Sequence, residues 1–319
     1  MDAHFFRSSF LRHLGVLLPI LFLAMGASYE TANFTVHAPT VESARQFADT
    51  AEQCRRDLAI LWLGTTLPDW SEKCPVIVHV GEDLGAGGRT SFVFENGEVF
   101  DWEMEIQGSH ERILDSVLPH EITHMILASH FRKPVPRWLD EGMATSVEHN
   151  SEKANYRRML QHFLQSNVRR CLPLNRLVAM KDYPSGDPMP FYAQGFSLAE
   201  YLIEIGREFD ENEHRRLVQF AQCGSQTGDW KSALQEYYGI ENLGELQLSW
   251  IDWVDNGATL PMLAEVPNVR LLDGEAAANV QVPVALTSAR PPSGKSVYDR
   301  RDETPKVIPD SFGRNVVVR

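Results

Sequence analysis

The spacing of apolar residues changes along the chain, and each change marks a different kind of element. Arg7 and Arg12 precede a continuous run over residues 14–24 (LGVLLPILFLA), followed by the small residues Gly26, Ala27 and Ser28. A basic segment, a short apolar core and a small-residue zone describe a secretory signal peptide over residues 1–28. The run is short for a bilayer span; an uncleaved N-terminal anchor is the alternative, and only that form would touch a membrane. Either reading places the rest of the chain outside the cytoplasm, secreted or periplasmic. Residues 33–37 (NFTVH) read as a short strand. From Thr40 to Leu63 the period becomes helical, with Val41, Ala44, Phe47, Ala48, Ala51, Leu58 and Leu61 three or four apart or in register with those steps. Residues 75–80 (PVIVHV) are β-branched and predict a strand.

Asn96-Gly97 separates SFVFE from EVFDWEMEI, a strong signal for a two-residue hairpin turn. In the second arm Phe100, Trp102, Met104 and Ile106 alternate with Asp101, Glu103 and Glu105, so one face is buried and the other wet. From Ser109 onward the pattern is helical. Ser109 and Arg112 form only a partial start signal, because a capping box would place Glu or Gln at the third position. Pro119 predicts a kink or a fresh helix. Further helices are expected over residues 136–148, 151–165, 191–205, 211–223, 230–238 and 243–254, with Gly206 and Gly239 as stops. Beyond residue 257 seven prolines punctuate a stretch of weak periodicity, which reads as a largely disordered tail over 257–319, with a strand at 280–286 (VQVPVAL) as an alternative. The expected fold class is α+β: a small mixed or antiparallel sheet on the N-terminal side, packed on a helical C-terminal half, in one domain over residues 29–256.

Composition adds bounds. The 319 residues are 43% hydrophobic and 23% charged, ordinary values for a chain with a sizeable core. A formal net charge of −13 argues against nucleic acid as a partner, since phosphate binding needs a basic stripe. The four cysteines, Cys54, Cys74, Cys171 and Cys223, would permit two disulfides in an exported chain, with three pairings open. Proximity suggests Cys54–Cys74 and Cys171–Cys223. None has the CxxC spacing of a cysteine zinc site.

The chemistry lies at residues 120–124, His-Glu-Ile-Thr-His. Residues four apart on a helix share a face, so His120 and His124 can aim their imidazoles at one zinc ion per chain. Glu121 can reach the water on that ion and accept its proton without being a ligand. Ile113, Val117, His120, His124 and Leu127 follow one helical stripe, which turns the histidines inward with apolar neighbours. A third protein ligand is needed, with the fourth position left for water. Glu141, seventeen residues past His124 in WLDEGMA, is one candidate, because Pro134 and Pro136 end the motif helix and let a second one return. His130 is the other, at the HExxHxxGxxH spacing of metzincins. Leu127 stands where that pattern needs glycine, and its bulk resists the turn that would swing His130 back, which favours Glu141.

HEITH followed by WLDEGMA resembles the gluzincin metallopeptidases, the thermolysin and aminopeptidase-N-like superfamily, and within it the compact peptidase MA-like group. The resemblance covers roughly residues 81–202. It implies a zincin-like fold, Glu141 as third zinc ligand, and a peptide or protein substrate. Residues 191–195 (FYAQG) resemble the YxxG segment that carries the aminopeptidases' catalytic tyrosine, which implies Tyr192 as a hydrogen-bond donor to the oxyanion. The GAMEN motif that captures a free amine in the aminopeptidases has no counterpart here. The strand over residues 100–106 is offered instead as the edge along which an extended peptide pairs. The glycine-rich run at 85–88 reads as a mobile loop flanking the site, and Asp140 as a residue that can orient a ligand histidine. A zinc-stabilised binding protein that cleaves nothing is the reading from another class.

Overall fold

A computed structural model describes residues 26–165, 171–180, 184, 186–209 and 212–258, and two backbone strands at 306–309 and 315–318. The apolar run at 14–24 and the alternative strand at 280–286 lie outside the described residues. No helix among the described residues is long and apolar enough to cross a membrane.

The chain is α+β. Seven strands form one mixed sheet: β1 (Ala27–Glu30), β2 (Phe34–Ala38), β3 (Cys74–Val80), β4 (Gly87–Glu95), β5 (Glu98–Gly108), β6 (Lys306–Pro309) and β7 (Asn315–Val318). Their order is β1-β2-β3-β5-β4-β7-β6. Strands β2, β3 and β5 run parallel, and the other neighbours pair antiparallel. The long helix α1 (Val41–Leu63) makes the crossover between β2 and β3. Thr40 and Ser43 close a capping box at its start, and Gly64 ends it in the left-handed conformation at φ 74°. Its buried stripe runs through Ala44, Phe47, Ala48, Ala51, Arg55, Ala59 and Trp62. Val41, expected on that stripe, is the first residue of α1 and is 63% exposed. The Asn96-Gly97 turn forms with both residues at positive φ, 53° and 77°, the pair that a type I′ hairpin requires. Further along, Asp101 at φ 54° makes a bulge in β5 where the register with β4 shifts between Ser91 and Val93. The alternation of Trp102, Met104 and Ile106 into the core and Glu103 and Glu105 outward then resumes.

Ten α-helices are present among the described residues: α1 between β2 and β3, then, after β5, α2 (His110–Arg112), α3 (Leu118–Phe131), α4 (Arg137–Ser146), α5 (Asn150–Gln165), α6 (Leu174–Leu177), α7 (Met189–Gly206), α8 (Glu213–Thr227), α9 (Trp230–Tyr238) and α10 (Leu243–Asp255). Gly239 ends α9 at φ 66°, whereas Gly206 is the last residue of α7 and its cap is Arg207. Two apolar clusters form the core. One lies between the sheet, α1 and α3, around Phe34, Phe47, Trp102, Ile106 and Ile122. The other fills the helical half, around Trp138, Phe196, Leu202, Phe220 and Trp250. Helix α3 stands between them: Ile122, Met125 and Ile126 belong to the first cluster and Leu127 to the second.

Ala27 and Ser28, at the end of the expected signal segment, pair with Ala38 and His37 as half of β1. The expected disulfides do not form: Cys54, Cys74 and Cys223 carry free thiols. Cys74 is buried at the start of β3 with its thiol on the Pro75 carbonyl, 3.5 Å away.

Candidate metal centre

Pro119 shapes the helix that carries the motif. It has no N–H to donate, and the turn before it, residues 113–117, is π-helical, with the Leu118 N–H donating to the Ile113 carbonyl five residues back. The chain therefore passes from α2 into α3 without a break, so the kink or fresh start expected at Pro119 takes the form of a widened turn. Every residue from Leu118 to Ala128 is buried. The inward phase expected for the histidines is present, but it is not one stripe against solvent, because α3 is enclosed all round.

Arg132 then ends α3 in the left-handed conformation at φ 53°, its N–H on the Ala128 carbonyl. After Pro134 and Pro136 the chain returns as α4, started by bonds from the Leu139 and Asp140 amides to the Pro136 carbonyl. This return brings three carboxylates to the two histidines. Glu141 Oε2 lies 3.5 Å from His120 Nε2 and 3.7 Å from His124 Nε2. The Nδ1 atoms face the other way: His120 Nδ1 is 2.7 Å from Glu148 Oε1, and His124 Nδ1 is 2.7 Å from Asp140 Oδ1. Arg137 Nη1 sits 3.5 Å from the second Asp140 oxygen. All of these groups are buried.

His120, His124 and Glu141 thus each offer one donor atom, all within 4.8 Å of one another, and the group could hold a metal ion. Ligands at tetrahedral angles and zinc-type bond lengths stand about 3.3–3.4 Å apart, close to the two imidazole–carboxylate separations. A carboxylate behind each imidazole fixes the ring and leaves Nε2 to coordinate, the usual arrangement of ligand histidines. Burial disfavours charge on His120, but its hydrogen bonds to Glu141 and Glu148, with the charges of Glu148 and Glu121, outweigh that and push its pKa up to about 10. Without an ion, His120 therefore holds a proton between two carboxylates, and an ion would displace it.

Glu121 is placed from the sheet side. Thr90 of β4 donates a 2.7 Å hydrogen bond to its Oε2. Gly88 leaves the room its carboxyl occupies, since a Cβ there would fall 2.6 Å from Oε1 and 2.7 Å from Cγ. Residues 87 and 88, read as mobile loop, are the first residues of β4. Glu121 and His120 face a pocket of about 360 Å³ whose wall also includes Gly88, Arg112, Glu148, Glu152 and Tyr156. On the His124 side a second pocket of about 250 Å³ is lined by Phe92, Phe94, Ala128, Pro134, Val135 and Arg137, among others.

His130 falls elsewhere. Helix α3 runs on through His130, which lies about 9 Å further along the axis than His124 at 1.5 Å per residue and hydrogen-bonds Gln222, so the metzincin turn is not made. Tyr192 is buried in the helical cluster with its ring edge-on to Phe191, and lines neither pocket. Gln194 clamps the Leu172 backbone through its N–H and carbonyl. Strand β5 lies between β3 and β4, so residues 100–106 are not an edge; β4 is the strand beside the site. Glu148, Thr90 and Gly88 were missed by sequence reasoning. Only Glu148 left a trace, seven residues after Glu141 and so on the same side of a continuing helix.

No protein-family model matches the chain. A protein of Treponema pallidum (strain Nichols), itself named only as uncharacterized, is 24% identical over 268 residues. That match covers 82% of this chain but 24% of the relative, so the chain spans about a quarter of the relative's length.

Proposed function

We propose that the chain is an exported zinc-dependent peptidase of zincin-like fold, in which His120, His124 and Glu141 hold the ion and Glu121 is the general base. The observation that carries this reading is the convergence of the three donor atoms, with both Nδ1 atoms backed by carboxylates, beside a fourth carboxylate that is not a ligand. Two imidazoles and one carboxylate form a donor set suited to catalytic zinc, with a coordination position left over. When bound, zinc supplies a water of lowered pKa and polarises the substrate carbonyl. Glu121, held by Thr90 and given room by Gly88, accepts the proton of the attacking water and delivers it to the leaving amine. Asp140 and Glu148 keep the imidazoles in the tautomer that presents Nε2. By the resemblance to the YxxG segment, Tyr192, buried in the helical cluster, would donate a hydrogen bond to the oxyanion.

Glu121→Gln tests the reading: it should abolish peptide hydrolysis while zinc content is unchanged. If zinc-loaded wild-type protein cleaves nothing across a broad peptide library, the zinc-stabilised binding protein replaces the peptidase.

A further inference from the structure

A third pocket, of about 810 Å³, opens where the C-terminal end of α3 meets the β4–β5 hairpin. It is larger than either pocket at the candidate centre and shares no lining residue with them. Ser129 in its wall is five residues past His124, about 7.5 Å along the helix axis. Its outer wall is the segment between α1 and β3, residues 67–72, which is neither helix nor strand. Buried polar groups hold that segment in place. The side chain of Asn33, almost fully buried, accepts the Trp70 N–H at 2.8 Å and donates to Asp69 Oδ1 at 3.0 Å. Arg55 donates to the carbonyls of Leu67 and Pro68 and lays its guanidinium 4.4 Å from the centre of the Trp70 ring. Trp70 in turn stacks on Trp102 of β5, 4.9 Å between ring centres, and its Nε1 donates to Ser129 Oγ at 3.3 Å. The wall is therefore preformed, and a ligand need not order it.

The lining has two chemistries. Trp70, Phe100 and Trp102 give it flat aromatic surface, while Asp69, Glu72 and Glu98 stand with Arg132 as the one cation among the lining residues. Arg132 is already paired, its Nη1 2.8 Å from Glu98 Oε1. Carboxylates thus outnumber guanidinium groups in a recess with apolar walls, and such a recess concentrates cations. A guanidinium suits both chemistries. It lies flat against aromatic rings, pairs its N–H groups with carboxylates, and is more weakly hydrated than an ammonium. We propose that this pocket is a second binding site, separate from the candidate metal centre, that takes an arginine side chain of a peptide or protein. The inference stands on the pocket alone, whether or not the chain cleaves peptides.

Full-length protein with isotope-labelled tryptophan, titrated with N-acetyl-arginine methylamide and followed by NMR, provides the test. The indole signals of Trp70 and Trp102, assigned with Trp70→Phe and Trp102→Phe, should shift saturably, while that of Trp138 on α4 stays fixed. The lysine and leucine counterparts of the compound should bind several-fold more weakly. Glu72→Gln and Glu98→Gln together, both at exposed positions, should raise Kd for the arginine compound several-fold. Absence of a saturable shift at Trp70 and Trp102 would overturn the proposal, as would equal affinity for either counterpart. Unchanged affinity in the double variant would also overturn it, since the carboxylates would then not recognise the cation.

Discussion

Gly88→Ala places a methyl group where Glu121 now stands. The added carbon would lie 2.6 Å from Oε1, 2.7 Å from Cγ and 2.9 Å from Cδ of Glu121, against about 3.5–4.0 Å for ordinary contacts between carbons. The strand is held in register, with Gly88 opposite Ile106, so the side chain must give way, by about 1 Å to restore those contacts. That retreat breaks the 2.7 Å bond from Thr90 and, on the proposed peptidase reading, moves Glu121 away from the water it would deprotonate. A misplacement of about 1 Å costs on the order of 10²-fold in rate, or about 2.7 kcal/mol of barrier. Gly88 is not a metal-ligand candidate, so zinc content should stay close to wild type. The assay is peptide cleavage by zinc-loaded wild-type and variant protein, with metal content measured on the same samples. A wild-type rate in a variant that keeps its zinc would refute the argument that β4 positions the base.

Asp140→Asn and Glu148→Gln should each weaken zinc binding about 10–100-fold, because each removes the carboxylate that orients a ligand imidazole; competition with a chromophoric chelator measures this, and unchanged affinity in both would contradict the arrangement. Gly195→Ala should destabilise the fold by about 1–3 kcal/mol as an overpacking change, since its Cβ would lie 2.6 Å from the Trp138 carbonyl where α7 crosses α4; urea denaturation reads it, and stability equal to wild type would show that the helices can separate freely there. The proton on His120, whose pKa is raised to about 10, must leave when an ion binds Nε2, so apparent zinc affinity should fall about tenfold for each pH unit lowered below that value, until other ligands titrate. In the metal-free protein the same proton is a stabilising group. Because the folded pKa lies above the ordinary value of 6.5, its contribution is fully present below about pH 6.5 and is lost as pH rises through about 10. Melting curves of the metal-free protein at several pH values check this, and metal-free stability that rises over that range would contradict it.

The sequence revealed the parts of this molecule that depend on local chemistry. The helical period and capping residues of α1, the Asn96-Gly97 turn and the alternation of Trp102, Met104 and Ile106 all act between neighbours a few residues apart, and each is present. The metal donors were legible for the same reason: His120 and His124 are one turn apart, and the two prolines before α4 announce the return that brings Glu141. What stayed hidden depends on chain segments meeting at long range. Thr90 and Gly88 are 31 and 33 positions from Glu121, and nothing in a glycine-rich stretch states that it opens a strand against the helix that carries the two histidines. The FYAQG segment shows the same limit. Gly195 serves there as a contact point between helix backbones, a role that spacing within one helix does not display. The alternation along residues 100–106 reports which face of β5 is buried and not which strands pair with it, so it does not tell that β5 lies inside the sheet.

The most direct test of the central claim is the zinc content of the purified protein alongside Glu141→Ala and His130→Ala. The geometry predicts one ion per chain in the wild type and in His130→Ala, with loss of tight binding in Glu141→Ala. Loss in His130→Ala alone, or no stoichiometric zinc in the wild type even after zinc is supplied, would contradict it.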